Sequence, residues 1–290
     1  MRRTGQSTML LAYLAATLLA VIVWQLGSGE AAWLRTLTAG LAGTGLLWLV
    51  GVLRGNPSVF DPYWSIAPIG VAMAWAHDPV SANACVTRQF VVLCLVCAWG
   101  MRLTSHWWRT FPGLGHEDWR YTDMRRASGR LFPLVNLVVI HLLPTLMLLL
   151  ACAAMYPALV TGARDWGMLD VFASLWTLAA IGLEARADRE MRAFRARPCE
   201  PGTVYQAGVW AWLRHPNYLG ELSFWWGLWL FSMAAEPDAA WAAAGPAVIT
   251  AMLVLYSAPA LDRRMAARSP AYREYMARVP SLVPRRPSRP

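Results

Sequence analysis

The sequence predicts an all-α, polytopic membrane bundle of about seven to eight transmembrane helices, with both termini on the cytoplasmic side. Three observations carry this. Of the 290 residues, 57% are hydrophobic and 15% charged, a composition outside the range of soluble domains. The apolar residues gather into eight stretches, most of them near the roughly 20 residues a helix needs to cross a bilayer. Arginine supplies every basic side chain and falls on alternate connections, the asymmetry that the positive-inside rule describes.

In chain order the stretches lie near Met9 to Leu26, Trp33 to Leu53, Val59 to Trp75, Ala84 to Leu103, Leu131 to Val160, Met168 to Leu183, Leu219 to Ala235 and Ala240 to Leu261. The third and seventh are short, which leaves the count at seven or eight. Arg2 and Arg3, Arg54, the run Arg102 to Arg130, the run Arg186 to Arg214 and the run Arg263 to Arg289 share one side. Glu30, His77, Asp78, Arg88, Arg164, Asp165, Glu236 and Asp238 mark the other. The net charge of +9 is mostly this bias, so no nucleic-acid partner follows from it. Anionic lipid headgroups or a phosphorylated ligand account better for arginine beside a membrane. Residues 1–55 read as an N-terminal helical pair and 56–290 as the domain proper. Arg2-Arg3 precedes an apolar run without a small-residue cleavage site, which reads as a retained helix.

The first two spans, with only Glu30 and Arg35 near their junction, read as structural. The third opens Val59-Phe60-Asp61-Pro62-Tyr63-Trp64. An acid at the membrane boundary is costly and points to function. Desolvation raises its pKa, and a carboxyl kept protonated is a proton donor. The ordinary alternative is that Asp61 caps a helix starting at Pro62, which leaves Tyr63 and Trp64 unexplained. The fourth span ends at Arg102. His106-Trp107-Trp108-Arg109 and the loop Gly113 to Tyr121 follow, where Glu117, Asp118, Arg120 and Tyr121 stand out from an interfacial belt of tryptophan. Cys94 and Cys97 form a CxxC in mid-span without a second pair, so they read as packing residues and no metal site is expected. His141 reads as a polar contact between helices.

The long polar run Glu184 to Glu221 is the centre of the sequence. Glu184, Asp188, Arg192 and Arg195 are spaced four, four and three apart and share one helical face, with Arg186, Arg189 and Arg197 elsewhere. The helix must stop before Pro198, and Pro201-Gly202 makes a turn. Arg214-His215-Pro216-Asn217-Tyr218 then meets the seventh span. Arginines paired with acids where the chain enters lipid suit an anionic cofactor; a solvated loop that fixes topology is the plainer reading. After the last span, Arg263 and Arg264 stand where a phosphate is clamped, and Tyr272 and Tyr275 where a nucleotide ring packs. Arg285, Arg286 and Arg289 read as a membrane-surface tail. There is no GxGxxG, Walker or HExxH motif.

The run Arg214-His215-Pro216-Asn217-Tyr218-Leu219-Gly220-Glu221, preceded by Asp188 and Arg195 and followed by Tyr272, Tyr275 and Pro284, resembles the steroid 5-alpha-reductase superfamily, and within it the bacterial branch called DUF1295. The likeness spans roughly Val59 to Pro284. It implies an integral-membrane reductase that uses NADPH to saturate the double bond of a lipophilic enone. By this resemblance Asp188, Arg195, Asn217 and Glu221 contact NADPH, with Arg192, Arg214, His215, Tyr218, Arg263, Arg264, Tyr272 and Tyr275 completing the set. Asp61, seven residues before Pro68, matches the family's acid, with Tyr63 or His106 assisting. The family's tyrosine is missing from the span Ala84 to Leu103, so Tyr63, His106 or Tyr121 has to replace it. Glu184 stands where the steroid enzymes have an amide. The implied location is the bacterial inner membrane, with the cofactor site facing the cytoplasm. The rival is an isoprenylcysteine-type methyltransferase using S-adenosylmethionine, which shares the Arg-His-Pro-x-Tyr run. A transporter is a third reading, disfavoured by the lack of an internal repeat.

Overall fold

The computed structural model describes residues 2–198, 200 and 202–283; Pro201, Pro284, Arg285, Arg286 and Arg289 lie outside them. Among the described residues the regular structure is entirely helical. In chain order the α-helices are α1 (Arg2–Leu26), α2 (Ala32–Arg54), α3 (Tyr63–Ala76), α4 (Val86–Thr110), α5 (Trp119–Ser128), α6 (Phe132–Val135), α7 (Leu143–Cys152), α8 (Met168–Arg195), α9 (Pro216–Ala235), α10 (Ala244–Ala251), α11 (Ala258–Arg268) and α12 (Pro270–Arg278). Short 3-10 and π-helical turns fuse α5 to α7 into one length, Trp119–Met155, and join α10 and α11 within Ala239–Arg268.

Six helical lengths are long and apolar enough to cross a membrane: Arg3–Leu26, Ala32–Arg54, Val86–Thr110, Trp119–Met155, Met168–Arg195 and Ala239–Arg268. The other two predicted stretches also form helices in the bundle. The third begins with a 3-10 turn, Pro57–Phe60, and leaves α3 only 14 residues. The seventh is the 20-residue α9, which carries Glu221 among its tryptophans and is largely buried. The sixth span and the first part of the polar run after it are a single helix, α8, which stops at Arg195 ahead of Pro198 with Arg192 and Arg195 in its last turn, where cations meet the negative end of the helix dipole.

The closest helix pairing is α8 with α9, and glycine permits it. A Cβ built on Gly220 would lie 2.7 Å from the Glu184 Cβ and 3.0 Å from the Ala180 carbonyl oxygen. Gly220→Ala is therefore expected to force the helices apart and cost about 1–3 kcal/mol. Gly182→Ala on the same helix pair, where a Cβ meets nothing within 4 Å, should leave thermal unfolding of the solubilised protein unchanged or raised. Equal midpoints for the two variants would show that the close approach does not matter.

Polar residues gather at the two ends of the bundle. At one end, buried ion pairs join helices: Arg35 of α2 with Asp78, and Arg88 of α4 with Asp170 of α8 through two bonds of 2.6 and 2.9 Å. Arg88 also donates to the carbonyls of Arg164 and Asp165 at 2.8 and 3.1 Å. The sequence suggests loop charges here; the structure turns them inward, because an arginine inside the bundle has to satisfy its whole fork. Two cavities open at this end, one of about 560 Å³ along Ala163 to Asp170 and an apolar one of about 260 Å³ among Trp33, Trp75, Tyr156 and Trp241. Neither reaches the opposite end, where the arginine-rich connections meet.

Candidate functional site

At the arginine end, local hydrogen bonds fix one turn and one loop against each other. Asn56 accepts from the Ser58 amide at 2.9 Å and so caps the 3-10 turn, with Pro57 preset for it. Its Nδ2 donates to the carbonyls of Leu114 and His116, both at 2.8 Å. The Ser58 hydroxyl receives the amide of Asp118 at 2.9 Å, and Asp118 caps α5 by accepting from the Arg120 amide at 2.9 Å. With α5 started at that point, Tyr121 in its first turn donates to Asp61 Oδ1 at 2.6 Å. The helix after Asp61 is capped by Pro62, not by the carboxyl, so the plainer reading of Asp61 as a cap does not hold. Burial pushes the Asp61 carboxyl up to about 7, against the opposing pull of the Tyr121 hydroxyl and the Arg120 charge.

A second cluster lies between α4, α8 and α9. Arg102 Nη1 donates to Asp188 Oδ2 at 2.7 Å, and its Nη2 lies 2.6 Å from Glu184 Oε2. The second contact is close but poorly aligned: Arg102 Nε and Nη2 and Glu184 Oε2 are buried without a well-formed hydrogen bond. Next to them Arg192 Nη1 donates to His106 Nδ1 at 2.5 Å, with Asp188 Oδ2 3.9 Å from the same nitrogen. A donor on Nδ1 requires a lone pair there, which leaves the ring neutral with its proton on Nε2. Glu221 is fixed by Trp99 Nε1 at 3.0 Å and Trp225 Nε1 at 2.8 Å.

The third cluster is built on Asp262 of α11. Its carboxylate accepts from Arg214 Nη2 at 2.7 Å, His215 Nε2 at 3.0 Å and the Tyr272 hydroxyl at 2.6 Å. Burial, joined by the Asp262 bond and charge, pushes the Tyr272 phenol well up, so it remains a donor. Tyr275 donates to the Trp210 carbonyl at 2.6 Å, and the amides of Arg214 and His215 pair with the carbonyls of Pro280 and Ser281 at 2.9 and 3.2 Å. The chain after α12 is thereby tied to the entrance of α9. His215 stacks on Tyr218, with ring centroids 5.2 Å apart. Arg264 reaches back to α5, over the Trp119 ring at 4.2 Å and 3.4 Å from Asp123.

The expected site residues are thus distributed. Asp61 is joined by Tyr121, one of three residues weighed for the missing tyrosine. The Tyr63 hydroxyl instead donates to the Gly40 carbonyl at 3.2 Å and its ring stacks on Phe60. His106 stands in the Arg102 cluster with Asp188 and Arg192, and Glu221 enters that cluster from α9. Arg214, His215, Tyr272 and Tyr275 are engaged with one another and with Asp262. Asn217 is half-buried in the first turn of α9, and Arg195 and Arg263 are exposed at the same end. Two organising residues carried no sequence signal of their own. Arg102 looked like one more boundary arginine, and Asp262 stood in the shadow of Arg263 and Arg264. His141 is fully buried, its Nδ1 2.8 Å from the Asn136 carbonyl and its ring against Phe60.

An all-helical membrane bundle whose buried acids and arginines converge at one end, with a carboxyl–phenol pair beside them, has the features of a membrane enzyme. The chain belongs to the family described as a protein of unknown function, DUF1295, whose sequence model matches residues 47–279. It is similar to the uncharacterized protein C594.04c of the fission yeast Schizosaccharomyces pombe, at 27% identity over 267 residues, 83% of this chain and 76% of the yeast protein. No solved structure matches significantly.

Proposed function

We propose that this protein is an NADPH-dependent membrane reductase that saturates the carbon–carbon double bond of a lipophilic enone, in line with the resemblance of its Arg214 to Glu221 run to the steroid 5-alpha-reductases. The observation that carries this reading is the Asp61–Tyr121 pair, a buried acid with one oxygen already bonded, at the same end of the bundle as the arginine- and acid-lined face of α8. The buried polar atoms of Arg102 and Glu184 that lack an aligned partner fit a polar cofactor group lodged beside them, and Arg192, Arg195 and Arg263 supply the charge that phosphates require. Asp188, Asn217 and Tyr218 complete the holding set.

NADPH, when bound, supplies the hydride. The protein's part is to stabilise the negative charge that builds on the substrate carbonyl oxygen. Tyr121 donates to Asp61 Oδ1, so the proton of the neutral carboxyl sits on Oδ2 and is free to be given to that oxygen. Packing around the pair keeps water from screening the contact. His106, whose Nδ1 accepts from Arg192, belongs to the cofactor side. The excess of arginine at this end supports a cofactor face turned toward the cytoplasm under the positive-inside rule.

The deciding measurement is ligand binding by the solubilised protein, comparing NADPH, NADH and S-adenosylmethionine by thermal shift and calorimetry. NADPH should stabilise the fold, and Arg195→Ala should weaken its binding by about tenfold or more, the worth of one charged hydrogen bond. Asn217→Ala should weaken it less. Stabilisation by S-adenosylmethionine alone would replace the reductase with the methyltransferase.

A further inference from the structure

We infer that α1, which lies before the region matched by the family model, forms part of the Asp61 site, and that Tyr13 is a positioning residue for the Asp61 carboxyl. This rests on the proposed function for its catalytic meaning and on geometry alone for its structural content. The Tyr13 hydroxyl donates to the Val59 carbonyl at 3.1 Å and lies 3.4 Å from that of Phe60, the two residues immediately before Asp61. Gly5, Met9 and Tyr13 follow one another at intervals of four and so share a face. Along that face a Cβ on Gly5 would come within 3.1 Å of the Leu114 amide nitrogen, and Met9 is 1% exposed. The opposite face of α1, with Leu10, Leu11, Leu14, Leu18 and Val21 exposed, is made for lipid.

Packing alone does not call for the Tyr13 hydroxyl. A phenol in an apolar helix must find an acceptor, and this one finds the carbonyls of the turn that aims Asp61. Asp61 thereby has a fixed surround: Tyr121, Arg120 and Asp118 from α5 and its cap, Tyr13 from α1, Tyr63 from α3, and His141 across the Phe60 ring. Releasing the turn would admit water to the Asp61 carboxyl, and since burial is the largest influence on it, lifting that burial favours the ionised form even as the Tyr121 bond loosens.

The test uses the full chain in lipid nanodiscs and compares Tyr13→Phe with Met9→Ala, which loosens the same face of α1 without removing a hydrogen bond. The carbonyl stretch of protonated Asp61, assigned by its loss in Asp61→Asn, is titrated by infrared difference spectroscopy, a readout that needs no turnover. The expected result is that Tyr13→Phe moves the Asp61 midpoint down by about one pH unit or more, the equivalent of one hydrogen bond, and that Met9→Ala does not. In an enone reduction assay Tyr13→Phe should lower kcat by about tenfold with NADPH affinity unchanged. An unchanged midpoint in Tyr13→Phe, or an equal movement in Met9→Ala, overturns the assignment. If the wild-type protein reduces no enone but its Asp61 midpoint still depends on Tyr13, the positioning role stands and the reductase reading falls.

Discussion

On the proposed reductase mechanism, Asp61→Asn should lower turnover by about two to three orders of magnitude, the usual cost of removing one donor to a developing oxyanion, and leave NADPH binding unchanged. Asparagine preserves the shape and can accept from Tyr121, but it has no acidic proton to place against the carbonyl oxygen. On the same proposal Asp61 sets the pH dependence. With its carboxyl near 7, Asp61 is protonated below that value, so kcat should be level on the acid side and fall about tenfold per pH unit above it. The sign follows from burial: an ordinary aspartate would already have lost its proton well below neutrality. Tyr121→Phe removes the hydroxyl that pulls against burial, so the limb should move to higher pH while maximal turnover drops. Full activity in Asp61→Asn, or a profile that rises through pH 7, would eliminate Asp61 as the acid.

The second large effect is expected at Asp262, where the loss is one of stability. Three donors converge on this carboxylate from Arg214, His215 and Tyr272. Removing it in Asp262→Ala strands a half-buried guanidinium and a buried imidazole, at a cost of about 3–5 kcal/mol. The damage should be local first: protease should cut between α11 and the end of α12 at lower temperature than it attacks the membrane helices. Asp262→Asn, which keeps an acceptor oxygen for Tyr272 and Arg214, should lose less. If Asp262→Ala melts and digests like the wild type, the cluster is a surface contact and not a latch.

Much of the bundle was legible from the sequence because hydropathy and the arginine alternation act on whole segments. The helical face of Glu184, Asp188 and Arg192 was legible too, since spacing of four states which side chains lie together. All three meet residues of α4, Arg102 or His106, and the stop at Arg195 follows from Pro198. The cross-helix partners were not legible. Tyr121 reaches Asp61 from 60 residues away and Arg88 reaches Asp170 from 82, and no periodicity within one helix encodes which residue of another it will face. The choice of Tyr121 over Tyr63 as the partner of Asp61 depended on the Asn56 and Ser58 bonds that start α5 where it starts. The crowding of Arg214, His215 and Tyr272 around Asp262 was hidden because the arginines beside it invited attention to a ligand and not to the chain itself.

The pairing of Arg88 with Asp170 also bears on how the protein is made. Arg88 lies in the first turn of α4, and its counter-charge emerges from the ribosome 82 residues later, a delay of about ten seconds at typical elongation rates. During that interval the guanidinium lacks Asp170 and is expected to stay at the membrane surface, its alkyl stem stretched toward water. α4 is thus expected to reach its final depth only once α8 arrives, so that the two helices settle together.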